Sequence, residues 1–143
     1  MMKIFPARLL GICALACWAL LCVVTASKSQ SEIERRDFFV TSDPGVQIFV
    51  REVVFARGVD PNGRPPILLL HGARVPGLAS FDLPVPGGSF AADLAQLGFD
   101  VFLMDVRGYG GSSRPKEMDE APNSHAPVVR SNEAARDVSA VET

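Results

Sequence analysis

The chain has 143 residues, room for one modest domain, and 48% of them are hydrophobic against 21% charged, a globular rather than a disordered balance. A formal net charge of −2 supplies no basic surface of the kind a nucleic acid needs, so that class of partner is excluded.

Lys3 and Arg8 precede an uncharged apolar run from Leu9 to Val24, and Val24-Thr25-Ala26 offers small residues at the spacing a signal peptidase reads. Residues 1–26 are therefore expected to be a signal peptide cut after Ala26, and the mature chain to be secreted or periplasmic. The run is short for a spanning helix, which needs about 20 apolar residues, so no membrane span is expected after cleavage. Retention of the run as an anchor stays open. Ala14-Leu15-Ala16-Cys17 is an imperfect lipoprotein box and ranks below simple cleavage. Cys13, Cys17 and Cys22 all leave with the leader, which removes disulfides and thiolate metal sites from the expected mature chain.

Residues 27–36 are polar and read as a tether. Residues 37–55 read as a β-hairpin, turned at Asp43-Pro44-Gly45, where proline fixes φ and glycine is free to take a positive one. Along the second strand the apolar parity moves from Val46, Ile48 and Val50 to Val53 and Phe55; a β-bulge near Arg51-Glu52 would absorb the change. After a turn-rich loop, residues 67–72 carry four large aliphatics in a row, as a strand covered on both faces would. Residues 72–88 read as a long loop.

Ser89 is expected to cap a helix running to Leu97, with Phe90, Leu94 and Leu97 on its apolar stripe and Gly98 ending it. Residues 99–105 form the next buried strand, and strand–helix–strand at this spacing is a crossover between parallel strands. Ser131 is expected to cap a last helix with Ala134, Val138 and Val141 aligned. The fold class is α/β.

A hairpin, then an apolar strand ending in His71-Gly72, then a strand ending in Asp105-x-Arg107-Gly108-x-Gly110 resembles the amino-terminal half of an α/β-hydrolase. The resemblance covers residues 37–143, which are expected to form a partial domain of that kind: a hairpin followed by parallel strands joined by a crossover helix. It implies that the backbone N–H of Ala73 is one donor of an oxyanion hole, where a preorganised N–H stabilises developing negative charge. It implies structural roles for His71, Gly72, Asp105, Arg107, Gly108 and Gly110, and a small ester- or amide-type substrate. No metal or other cofactor is expected.

The family's nucleophile sits on a Gly-x-Ser-x-Gly elbow, and the 143 residues contain none; the acid and the catalytic histidine that follow it are absent too. Gly87-Gly88-Ser89-Phe90-Ala91 comes nearest, but Pro84 and Pro86 leave no strand to feed it, and no glycine lies two residues beyond Ser112 or Ser113. The sequence is expected to stop roughly twenty residues short of the elbow and to be inactive alone. The alternative is a non-catalytic exported fragment or interaction module.

Asp105 and Arg107 read as a turn-locking ion pair or as partners of backbone groups, and His125 reads as an exposed loop residue. The glycines from 108 to 111 lack the lysine a phosphate loop uses.

Overall fold

The structure, a computed structural model, describes residues 32–56, 63–121 and 123–143. The expected signal peptide, and residues 27–31 of the expected tether, lie outside the described residues. The described chain forms a mixed four-stranded sheet from β1 (Ile33–Asp43), β2 (Val46–Phe55), β3 (Pro66–Leu70) and β4 (Asp100–Met104), in the order β1-β2-β4-β3. β1 and β2 pair antiparallel, as do β2 and β4, while β3 lies parallel to β4. Between β3 and β4 run the short helix α1 (Gly77–Phe81) and α2 (Phe90–Gln96), and α3 (Ser131–Val141) closes the chain.

The two faces of the sheet carry separate cores. On one, Val53, Val101 and Leu103 pack with Ala91 and Ala95 of α2. On the other, Ile48, Val50 and Met104 pack with Ala134, Val138 and Val141 of α3. Full burial of a side chain the size of Val53, Leu103, Ile48 or Met104 contributes about 1.5–3 kcal/mol.

This double covering explains the parity change in β2 without a bulge. Successive side chains alternate between faces, so Ile48 and Val50 serve one core and Val53 the other. The register runs unbroken through Arg51 and Glu52, and the irregularity falls between Thr41 and Asp43, beside the hairpin turn.

Four further expectations are corrected. Residues 33–36, assigned to the tether, are the first four of β1, paired with Phe55 to Glu52. An edge strand tolerates charge on its outer positions, and here Ile33 joins a core while Arg35 reaches Asp82. The loop of residues 72–88 contains α1. The apolar stripe of α2 is rotated: Phe90 is 53% exposed and Leu97 75%, whereas Ala91 and Ala95 are buried. Alanines let the helix approach the sheet more closely than Phe or Leu would, and Leu94 belongs to both stripes. Finally, Arg130 and not Ser131 is the residue before the first turn of α3, and its N–H donates to the Glu133 carboxylate at 3.0 Å.

The aliphatic run expected to be covered on both faces forms β3, but it is only partly buried, with Leu70 48% exposed, because β3 has a neighbour on one side alone among the described residues. The signals at the ends of α2 hold. The Ser89 hydroxyl accepts the Ala92 N–H at 2.9 Å, and Gly98 (φ +94°) turns the chain out of α2. Among the described residues β3 is an edge of the sheet, and no helix is long and apolar enough to cross a membrane.

Candidate active site

The loops leaving the carboxyl ends of β3 and β4 meet, and His71 joins them. Its Nδ1–H donates to the Gly72 carbonyl at 2.7 Å, and its Nε2 accepts the Val106 N–H at 3.1 Å. One neutral tautomer, with the proton on Nδ1, satisfies both contacts. The Tyr109 ring packs against the imidazole, 4.8 Å between centroids, and its hydroxyl accepts the Arg74 N–H at 3.4 Å.

Arg74 has φ +83°, the one left-handed non-glycine residue among those described. The sharp turn out of β3 is therefore made at Arg74. At Gly72 an added Cβ would meet nothing within 4 Å, so glycine there is not demanded by space. Ala73, between the two, is exposed, and its N–H has no hydrogen-bond partner among the described residues.

The β4 loop is fixed by its own polar groups. Asp105 is fully buried and accepts the Gly77 N–H at 2.6 Å and the Gly111 N–H at 2.9 Å, tying α1 to the glycine turn. Gly110 (φ +46°) is required, because a Cβ there would lie 1.9 Å from Asp105 Oδ2. Gly108 is favoured by its positive φ of +86°; a Cβ there would meet the end of the flexible Met118 side chain, with Sδ at 2.6 Å.

Arg107 points away from Asp105. Its Nη2 donates to Asp137 of α3 at 2.6 Å and to Asp43 of the hairpin turn at 2.7 Å. Hydrogen bonds to Asp137 outweigh the cost of burial and hold the guanidinium more firmly protonated than usual. Asp105 and Arg107 thus do not pair with each other; one binds backbone amides and the other carboxylates.

Both serines after the glycines are committed. Ser112 Oγ donates to the Asp105 carbonyl and accepts the Phe49 N–H at 2.8 Å. Ser113 Oγ accepts the Gln47 N–H at 2.9 Å. They extend the hydrogen bonding of β2 into the turn, and neither has a histidine partner to activate it.

A cavity of about 470 Å³ opens where the loops meet, lined among others by His71, Ala73, Tyr109, Glu117, His125 and Arg130. His125, expected in an exposed loop, is half-buried in this wall, and both its ring nitrogens face carbonyl oxygens. Sequence reasoning passed over Tyr109, whose only local signal is an aromatic residue inside a glycine turn. It also passed over Asp137 and Asp82, which look like ordinary surface acids until the fold brings their arginines to them. Among the described residues no group of three or more His, Cys, Asp or Glu side chains is arranged to hold a metal ion.

Residues 65–139, just over half of the chain, match the alpha/beta hydrolase fold family. Solved structures similar to this chain include a CIB-like hydrolase from Thermoplasma acidophilum, 20% identical with a TM-score of 0.41, over 59% of this chain and 36% of that one. Another is the thioesterase domain from the curacin biosynthetic pathway, 26% identical with a TM-score of 0.39, over 58% of this chain and 25% of that one. A third is the 2-hydroxy-6-oxo-6-phenylhexa-2,4-dienoate hydrolase of Rhodococcus sp. strain RHA1, 23% identical with a TM-score of 0.38, over 59% and 26%. The chain thus spans between a quarter and about a third of these structures. Among curated protein sequences none matches it. Through its match over residues 65–139 the chain belongs to the alpha/beta hydrolase fold family.

Proposed function

We propose that this chain supplies the oxyanion-stabilising part of an exported serine-type hydrolase acting on small ester- or amide-type substrates. The observation that carries the reading is the Ala73 N–H, without a partner among the described residues, on the turn where β3 opens into the cavity. Such a donor stabilises negative charge as it develops on a substrate carbonyl oxygen, and losing one typically lowers kcat by about 10²–10³. The buried frame beneath it, from Asp105 to Gly77 and Gly111 and from His71 to Val106, holds that turn without entering the chemistry.

No Gly-x-Ser-x-Gly occurs in the 143 residues, and Ser112 and Ser113 are engaged in the turn. The proposed reaction therefore takes its nucleophile, acid and catalytic histidine from other sequence, with cleavage of the leader after Ala26 preceding it.

The test is a chimera joining the chain at Thr143 to the second half of a hydrolase of this fold, assayed on short-chain aryl esters. The chimera is expected to turn over and the isolated chain is not. Replacing Ala73 by proline, which deletes the N–H, is expected to lower kcat of the chimera by about 10²–10³. Turnover by the isolated chain that disappears with Ser89→Ala, Ser112→Ala or Ser113→Ala would overturn the reading. Intact-mass analysis of exported material checks the leader; a species retaining residues 1–26 would point to an anchor.

The second reading, an exported non-catalytic module, draws support from β3, which is an edge strand among the described residues with Leu70 48% exposed. A folded chimera without any turnover would favour it.

A further inference from the structure

The two histidines of the chain line one cavity, and they differ at a single atom. Each directs Nδ1 at the carbonyl of the following residue, His71 at Gly72 (2.7 Å) and His125 at Ala126 (3.0 Å). At Nε2 the partners are opposite in kind. His71 meets the Val106 N–H, a donor, whereas His125 meets the Glu117 carbonyl oxygen, an acceptor. A neutral imidazole has one N–H and one lone pair, which suits His71 and fails His125. Only the imidazolium donates from both nitrogens, so only that form makes both of the His125 contacts. Once the ring is neutral, one nitrogen presents its lone pair to a carbonyl oxygen and that contact becomes repulsive.

The geometry points to His125 as a protonation-dependent latch, which fastens the 3₁₀ turn Lys116–Asp119 to residues 123–126 along one wall of the cavity. The charged and titratable groups sharing the cavity with it are Glu117 in the 3₁₀ turn and Glu120 just after it, Tyr109 from the β4 loop, His71 from the β3 loop and Arg130 before α3. Arg114 and Asp119 are engaged with each other at 2.8 Å. The sign follows from the geometry: both bonds exist in acid, and one is lost as pH rises and the ring gives up its proton. A wall that loosens with rising pH regulates entry to the cavity. That consequence rests on the function proposed above; the latch itself does not.

The test reads the ring and the wall together, in the full chain and without turnover. Long-range ¹⁵N–¹H correlations of the imidazoles are recorded from pH 5 to pH 8, and the His125→Asn spectrum identifies the His125 signal. In parallel, amide exchange is followed at Met118, Glu120 and Ser124, whose N–H groups bond within this wall to Pro115, Glu117 and Ala121. Both His125 nitrogens are expected to carry protons at the acidic end. Protection of the three amides, corrected for intrinsic exchange, is expected to fall about tenfold as the ring titrates. In His125→Asn it is expected to be low and independent of pH. A singly protonated His125 ring at the acidic end, or titration without change in protection, would overturn the proposal. Loss of protection on titration in a chain whose chimera never turns over would uphold the latch and sink the hydrolase reading.

Discussion

Asp137 and Asp82 lie on opposite faces of the sheet, each a carboxylate removed from solvent and held by arginine. Asp137 accepts from Nε, Nη2 and the backbone N–H of Arg107 and from the Ser42 hydroxyl. Its partner is buried too: the Arg107 side chain is 8% exposed and among the described residues has Asp43 and Ser42 besides. Asp82 accepts from Arg35, Arg51 and Ser89, but those arginine side chains are 34% and 20% exposed, and Arg51 also pairs with Asp37. Removing Asp137 therefore leaves a guanidinium shut off from water with Asp43 as its remaining carboxylate, while removing Asp82 leaves cations that water can reach as well. The cost of losing a buried acid is set by what becomes of its partner.

The largest effect expected is that of Asp137→Ala, a loss of about 3 kcal/mol in urea denaturation, the low end for a broken buried pair because Asp43 still faces Arg107. Pairing it with Arg107→Met is expected to return most of the loss, since the buried charge goes as well. If Asp137→Ala cost no more than Asp82→Ala, the comparison would fail.

Asp82→Ala is expected to cost about 2 kcal/mol, reduced by the hydration open to both arginines. It also carries a signature in acid. Burial pushes the Asp82 carboxyl up, but hydrogen bonds from Arg35, Ser89 and Arg51 outweigh it and hold it down to about 2. A folded-state value below the ordinary one of about 4 gives stability that is fully present above that pH and lost as pH falls toward about 2. In Asp82→Asn the fall in stability across that window is expected to shrink, as denaturation midpoints at a series of acid pH values will show.

Ser89→Ala removes both the cap of α2 and a bond to Asp82, and about 1 kcal/mol is expected from thermal or urea unfolding. Smallest of all, Leu97→Lys is expected to shift stability by less than about 0.5 kcal/mol, because Leu97 is three-quarters exposed. A large loss there would mean that the expected apolar stripe, and not the alanine face, packs on the sheet.

The hairpin turn and both ends of α2 were legible because their causes are local. Asp43-Pro44-Gly45 turns the hairpin, Ser89 caps α2 and Gly98 ends it, each within a few residues of its effect. The order of His71-Gly72 and the Asp105–Gly110 turn was enough to identify the family, because that spacing follows from two adjacent parallel strands. The inward face of α2 was not legible, since two apolar stripes share Leu94 and only the distance to the sheet chooses between them. Nor was the surrounding of His125, whose decisive partner is a backbone carbonyl that every residue possesses.

By itself the sequence determined the α/β class, the hairpin and crossover, and the turn chemistry that places Ala73 and Asp105 at strand ends. Tertiary structure alone decided which charges meet: Arg107 with Asp137, thirty residues on, and Arg35 with Asp82, forty-seven residues on. The physical reason is one of range. Propensity, capping and pattern act over a turn or two of chain. The partner of a buried charge is chosen by whichever element happens to cover it, and that is settled only when both faces of the sheet are packed.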